Sequence, residues 1–181
     1  MLFERKQITL KNGKTAIFRS PEITDAAEIV EYLKSTAGET PFLMNYPEEI
    51  TTTVEQEKAY IQAARDSEIQ TMIVCEIDGK IVGTSHLTCK SKCKNRHRGR
   101  IGIAFLKSYW GMGIGTAVFK EIIALGRKMG LEQLELEVFE GNERGIALYK
   151  KMGFSIVASV PNAIKLKDGT RWAEHIMVME V

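Results

Sequence analysis

The run Gly111-Met112-Gly113-Ile114-Gly115 follows an apolar, strand-like segment and opens a helix-like one. A strand, a glycine-rich turn and a helix in succession make an anion site. The first N–H groups of the helix lack intrahelical partners, and the helix dipole adds partial positive charge there. Glycine lets a phosphate approach the backbone without meeting a Cβ. The surrounding charge is of the matching sign. No acidic residue lies between Asp78 and Glu121, a stretch that holds nine of the 25 basic residues and leaves 16 basic against 23 acidic residues elsewhere. Lys107 precedes the turn and Lys120 follows it. No Gly-Lys-Ser/Thr follows, so this is not a Walker loop. Two hairpin-connected runs precede it where a dinucleotide fold needs a βαβ unit. The alternative is a tight strand–helix connection with no ligand.

Two other groupings could do chemistry. His86, Cys89, Cys93 and His97 include a Cys-x3-Cys spacing that zinc uses. On a strand, however, these positions fall on different faces, and the reading taken is no metal. The run from Lys90 to Arg100 places bases at alternate positions, which could grip nucleic acid or a cofactor 3′-phosphate. No aromatic residue is interleaved to stack on bases, so nucleic acid is an unfavoured partner and a solvated hairpin tip is the plainer reading.

The elements that must position these residues can be read from periodicity. A strand over about Thr15–Arg19 leads into a helix with Ala26, Ile29, Val30 and Leu33 on one face, with Asp25 and Glu28 as its capping pair and Gly38 closing it. A second helix starts near Thr53, with Gln56 at its third position, and runs to about Asp66. Asp78-Gly79 joins two β-branched runs, Thr71–Ile77 and Lys80–Thr88, as a hairpin. A strand over Arg100–Leu106 precedes the glycine cluster, and the helix after it buries Val118, Ile122, Leu125 and Met129. Leu134, Leu136 and Val138 alternate with Glu135 and Glu137, which predicts a strand with one wet face. A short helix from Asn142 to Met152 stops at Gly153, and strands over Phe154–Val160 and Trp172–Val178 flank a turn at Asp168-Gly169. The order implies an α+β fold: a mixed, mostly antiparallel sheet with helices on both faces.

The block Glu140-Gly141-Asn142-Glu143-Arg144-Gly145-Ile146-Ala147-Leu148-Tyr149-Lys150-Lys151-Met152-Gly153-Phe154 stands downstream of the glycine cluster. With both blocks in this order and separation, the sequence resembles the GCN5-related N-acetyltransferase (GNAT) family, from about Thr15 to the C-terminus. The resemblance implies that residues 109–116 form the pyrophosphate loop of acetyl-CoA, with Gly111, Met112, Gly113, Ile114, Gly115 and Thr116 in contact with it. Trp110 stands where the pattern has Arg or Gln. By the same resemblance Ile103, Ala104 and Phe105 hydrogen-bond the pantetheine arm, Asn142 contacts the cofactor, and Tyr149 is the general acid to the departing thiolate. Asn142 could also cap its own helix. Where many resembling enzymes carry a basic glutamate, Gly99-Arg100-Ile101-Gly102-Ile103 carries Arg100, which leaves Glu174 or an ordered water chain as the base.

The resemblance therefore implies an enzyme, one N-acetyltransferase domain over residues 1–181, moving acetyl from acetyl-CoA directly to a primary amine of a small molecule or a protein N-terminus. The rivals are a weakly active coenzyme A- or partner-binding module of the same fold and a basic nucleic-acid-binding protein. Glu39, Glu48, Glu49, Glu55 and Glu57 would suit a cationic acceptor, or be a solvated helix surface. The longest uncharged run, Ser108–Phe119, is too short and glycine-rich to span a bilayer, so no membrane partner is expected. Met1–Lys6 begins no apolar stretch of signal-peptide length, and three cysteines make no disulfide framework, so a cytoplasmic location is expected. A homodimer stays open.

Overall fold

In the computed structural model, which describes residues 1–181, Asp78 and Gly79 both take positive φ (53° and 74°). That is the turn geometry whose twist matches a tight hairpin. It joins strands β3 (Gln70–Ile77) and β4 (Lys80–Cys89). Around them one eight-stranded sheet forms, with β1 (Lys6–Thr9), β2 (Thr15–Arg19), β5 (Arg98–Phe105), β6 (Gln133–Phe139), β7 (Ser155–Lys165) and β8 (Arg171–Glu180). The order is β1-β2-β3-β4-β5-β6-β8-β7, and only β5 and β6 run parallel. Helices α1 (Ala26–Glu39) and α2 (Val54–Asp66) cover one face; α3 (Ile114–Lys128) and α4 (Glu143–Lys151) pack on the other. The core is continuous, from Phe18, Ile29 and Ile61 to Phe119, Leu134 and Met177. No helix is long and apolar enough to cross a membrane.

Several local expectations change. The capping pair at α1 is not Asp25 with Glu28. Asp25 is instead the third residue of a short 3₁₀ turn, Ile23–Asp25, and closes a capping box with Glu22. The reason is a competing partner: Arg19 grips both Asp25 carboxylate oxygens, at 2.6 and 3.1 Å. Glu28 accepts the Ile81 N–H at 2.7 Å, tying α1 to β4. Helix α1 also runs one residue past Gly38. Strand β1, the second half of β7 beyond Val160 and the end residues of β8 lie outside the sequence reading. β7 is exposed along nearly its whole length, so no burial pattern marks it, and its register shifts between Val160 and Ile164 around Pro161.

The wet face of β6 is not wet. Glu135 is only 8% exposed. It pairs with Lys90 (2.7 Å) and with Arg98, while Glu137 pairs with Arg100. Buried carboxylates persist where cations and hydrogen bonds compensate their desolvation. Lys90 and Arg98 are therefore structural cations rather than part of a free anion-binding stripe, while Arg100, paired to Glu137, keeps a side chain that is more than half exposed. The rest of the basic run, residues 91–97, forms the turns between β4 and β5.

Candidate active site

Strands β5 and β6 are hydrogen-bonded neighbours only over Arg98–Arg100 and Gln133–Glu135. Beyond that they part, and a cleft of about 1140 Å³ opens through the sheet between them. The candidate catalytic and cofactor-binding residues all line this one cleft: Ile103, Ala104 and Phe105 on β5, Gly111 through Thr116 in the loop and the start of α3, Asn142 and Tyr149 at α4, and Glu174 on β8.

The parting leaves backbone groups without a strand partner. Leu106 N–H bonds back to Val82 O at 2.9 Å, so by strand alternation the odd residues Ile103 and Phe105 turn their peptide groups into the cleft. Ala104 faces β4 instead. There Tyr32 inserts its hydroxyl into the ladder, donating to Ala104 O (2.7 Å) and accepting from Thr84 N–H (3.2 Å). Phe105 O takes the Trp110 indole N–H at 2.8 Å, which ties the loop to the end of the strand.

In the loop, Gly111 and Gly113 hold φ of 83° and 90°, which favour glycine. Gly113 is the N-cap of α3, and Ala117 N–H is the first to bond back into the helix, to Gly113 O. The N–H groups of residues 114–116 thus stand free at the cleft wall. Gly115 is needed for a different reason: a Cβ there would lie 2.7 Å from Leu148, so its absence lets α3 and α4 meet.

The cations at this end differ from those expected. Lys120 lines the cleft; Lys107 does not. Lys11 and Arg144 do, and sequence reasoning missed both. Arg144 lies over the Trp110 ring (5.3 Å to its centroid), and its Nη2 would be 3.6 Å from a Cβ at Gly111. A guanidinium thus reaches the loop from α4, where the loop itself has Trp110. The signal was available, since Arg144 sits in the first turn of the short helix, where a cation is unfavourable unless it has other work. The chain's ion pairs use none of Lys11, Lys120 and Arg144.

Asn142 caps α4, accepting Gly145 N–H at 2.9 Å. Seven residues on, Tyr149 is 8% exposed and packs edge-on against Phe119, with centroids 5.4 Å apart. Burial pushes its phenol up to about 12, so it stays protonated at neutral pH. No other protein group hydrogen-bonds its hydroxyl, which leaves it available to a ligand.

The α1/α2 face of the cleft carries His86, Arg100, Glu137 and Glu174, with Thr36, Phe42, Leu43 and Met44 above them. Burial pushes His86 down to about 4, so it is neutral at pH 7, and its Nδ1 lies 3.5 Å from the Tyr60 hydroxyl. Of the carboxylates lining the cleft, Glu121 is held by Lys6 (2.5 Å) and Glu137 by Arg100, while Glu174 has no cation. None of Glu39, Glu48, Glu49, Glu55 and Glu57 lines it. Glu39 caps Lys107 N–H, Glu48 pairs with Lys167 and Glu55 with Lys58.

Both the sequence and the fold are matched in known proteins. The sequence pattern of the acetyltransferase (GNAT) family covers residues 37–154. The chain belongs to this family. An N-alpha-acetyltransferase of Sulfurisphaera tokodaii is 30% identical over 150 residues, 81% of this chain and 84% of that one. Among solved structures, a GNAT-family acetyltransferase from Streptococcus pneumoniae is 28% identical and superposes with a TM-score of 0.86, over 92% of this chain and 99% of that chain. A Salmonella typhimurium structure determined with its cofactor acetyl-CoA shares the fold at a TM-score of 0.78, with 19% identity, over 91% and 93% of the two chains. The protein is thus a GNAT N-acetyltransferase, an enzyme of a family whose acyl donor is acetyl-CoA.

Proposed function

We propose that this enzyme transfers acetyl directly from acetyl-CoA to a primary amine in the cleft between β5 and β6. The observation that carries the reading is the parting of these strands after Arg100 and Glu135, which leaves the peptide groups of Ile103 and the N–H of Phe105 open beside the free N–H groups of α3. An elongated donor with an anionic end and an amide-bearing arm meets both: the N–H groups of residues 114–116, Lys11, Lys120 and Arg144 take the pyrophosphate, and Ile103 and Phe105 take the arm. Ala104 contributes its side chain, and Asn142 fixes the start of α4.

The residues divide the chemistry. Bound donor supplies an activated acetyl group as a thioester. An N–H in the Ile103–Phe105 stretch stabilises negative charge on the carbonyl oxygen as the amine attacks. Tyr149, protonated and without a protein partner, donates to the sulfur as the C–S bond breaks. Glu174 holds the acceptor's ammonium and takes its proton. No covalent enzyme intermediate is needed. The test is a panel of primary amines assayed for acetyl-CoA-dependent thiol release. Turnover with at least one amine is the expected result; coenzyme A binding without turnover of any amine would mark a binding module instead.

A further inference from the structure

The acceptor side of the cleft carries one cation, Arg100, beside two carboxylates, Glu137 and Glu174. Arg100, Gly102 and Ala104 alternate onto the α1/α2 face of β5. Arg100 is the last β5 residue paired to β6, so its side chain stands at the vertex where the cleft opens. That side chain is 57% exposed. Its pair with Glu137 runs through Nη2, and a guanidinium has five N–H donors in a planar fork suited to carboxylates. The pair cancels in net charge, but the N–H donors that Glu137 does not use stay open to a further carboxylate at the cleft. Next to Arg100 is open volume, since a Cβ on Gly102 would have no neighbour within 4 Å. Across the cleft stands Glu174, the lining carboxylate with no cation of its own.

From this we infer that the acceptor is an amine carrying an anionic group a few bonds from its nitrogen, an α-amino acid being the simplest case, with Arg100 receiving the anion and Glu174 the ammonium. The inference rests on the reading above of the cleft as the site of acetyl transfer. Arg100 and Ala104 are about 13 Å apart along the strand, a span that the arginine side chain and a small acceptor lying over Gly102 fill together. Glu137 keeps Arg100 extended toward the cleft, and the fork serves both carboxylates at once. Phe42, backed by Trp172 at 5.6 Å, and the neighbouring Leu43 and Met44 offer an apolar wall to the acceptor's side chain. A polycation finds little here: the acidic residues of the helical pair lie outside the cleft, and a second ammonium would have to share Glu174 or displace Arg100 from Glu137.

The experiment compares matched acceptors, each amino acid against its α-carboxamide and its decarboxylated amine, by KM and kcat for thiol release and by thermal shift of the coenzyme A-bound enzyme. For wild type the free acid is expected to have a KM on the order of 10–100-fold lower than the other two, the factor a charge-assisted hydrogen bond typically supplies. Arg100→Ala should abolish that preference chiefly through KM, and Arg100→Lys should restore part of it. Equal KM values for acid, amide and amine in wild type would overturn the inference without reliance on any variant. So would an undiminished preference in Arg100→Ala. If no acceptor is turned over, the acetyl-transfer reading fails on its own account. Thermal shift then decides the inference separately: a larger shift by the acid than by its amide upholds it, and equal shifts overturn it.

Discussion

The two ends of the β5–β6 pair make opposite use of similar residues. At the closed end three cations, Lys90, Arg98 and Arg100, are matched by Glu135 and Glu137, and the backbones are laddered together. At the open end the ladder stops, and Lys11, Lys120 and Arg144 line the cleft without any carboxylate partner. In the sequence the closed end is the more basic of the two, yet Glu135 and Glu137 meet most of its charge inside the fold, and Arg100 alone of the three also faces the cleft. Charge density along a chain thus says little about where an anion binds; what matters is whether the fold supplies a counter-charge.

If that division holds, the largest effect should come from the open end. Gly113→Val forces a β-branched residue into a φ of 90° and puts bulk at the phosphate position. At acetyl-CoA about 100-fold above Kd, wild type should gain about 2.7 kcal/mol of stability. The variant should gain close to none, as read by the melting temperature with and without acetyl-CoA. An intact shift would move the phosphate site away from the loop. Next, Glu135→Gln strips the closed end of its shared carboxylate. With Lys90 and Arg98 each about a third exposed, the loss should be about 1–3 kcal/mol in urea unfolding, with the activity of the folded fraction unchanged. A variant of full stability but impaired turnover would reverse the roles given to the two ends. The smallest effect concerns steering. Association of acetyl-CoA should slow as salt rises, and Lys120→Ala or Arg144→Ala should flatten that slope, while Lys92→Ala in the distant β4–β5 turn should not. Equal slopes in all four proteins would mean that the cleft cations do not steer the donor.

Much of this was legible from the residues. The hairpin at Asp78-Gly79, the Thr53–Gln56 capping box and the Gly113-to-α3 junction are local signals, and each appears where local geometry demands it. The site residues carried over by family resemblance converge on one cleft because they sit on the strand, turn and helix that the β5–β6 parting brings together. What was not legible is long-range. Glu135 and Glu137 look solvated in a strand pattern, because their partners lie 35 or more residues away on another strand. Asp25 looks like a cap until Arg19 claims it. Lys11 arrives at the cleft through the β1–β2 turn, and no periodicity of its own segment points there.

The central claim is that the open end is a catalytic cleft whose proton donor is Tyr149. It is tested most directly by thiol release from Tyr149→Phe at saturating acetyl-CoA, with acetyl-CoA binding measured on both proteins. The ring and its contact with Phe119 survive the change; only the hydroxyl is lost. Turnover should fall about 10²–10⁴-fold with acetyl-CoA affinity little changed. Because burial holds the phenol near 12, wild-type turnover should show no loss attributable to its deprotonation below about pH 11. Near-normal turnover by Tyr149→Phe, or a collapse of acetyl-CoA binding in its place, would contradict the account.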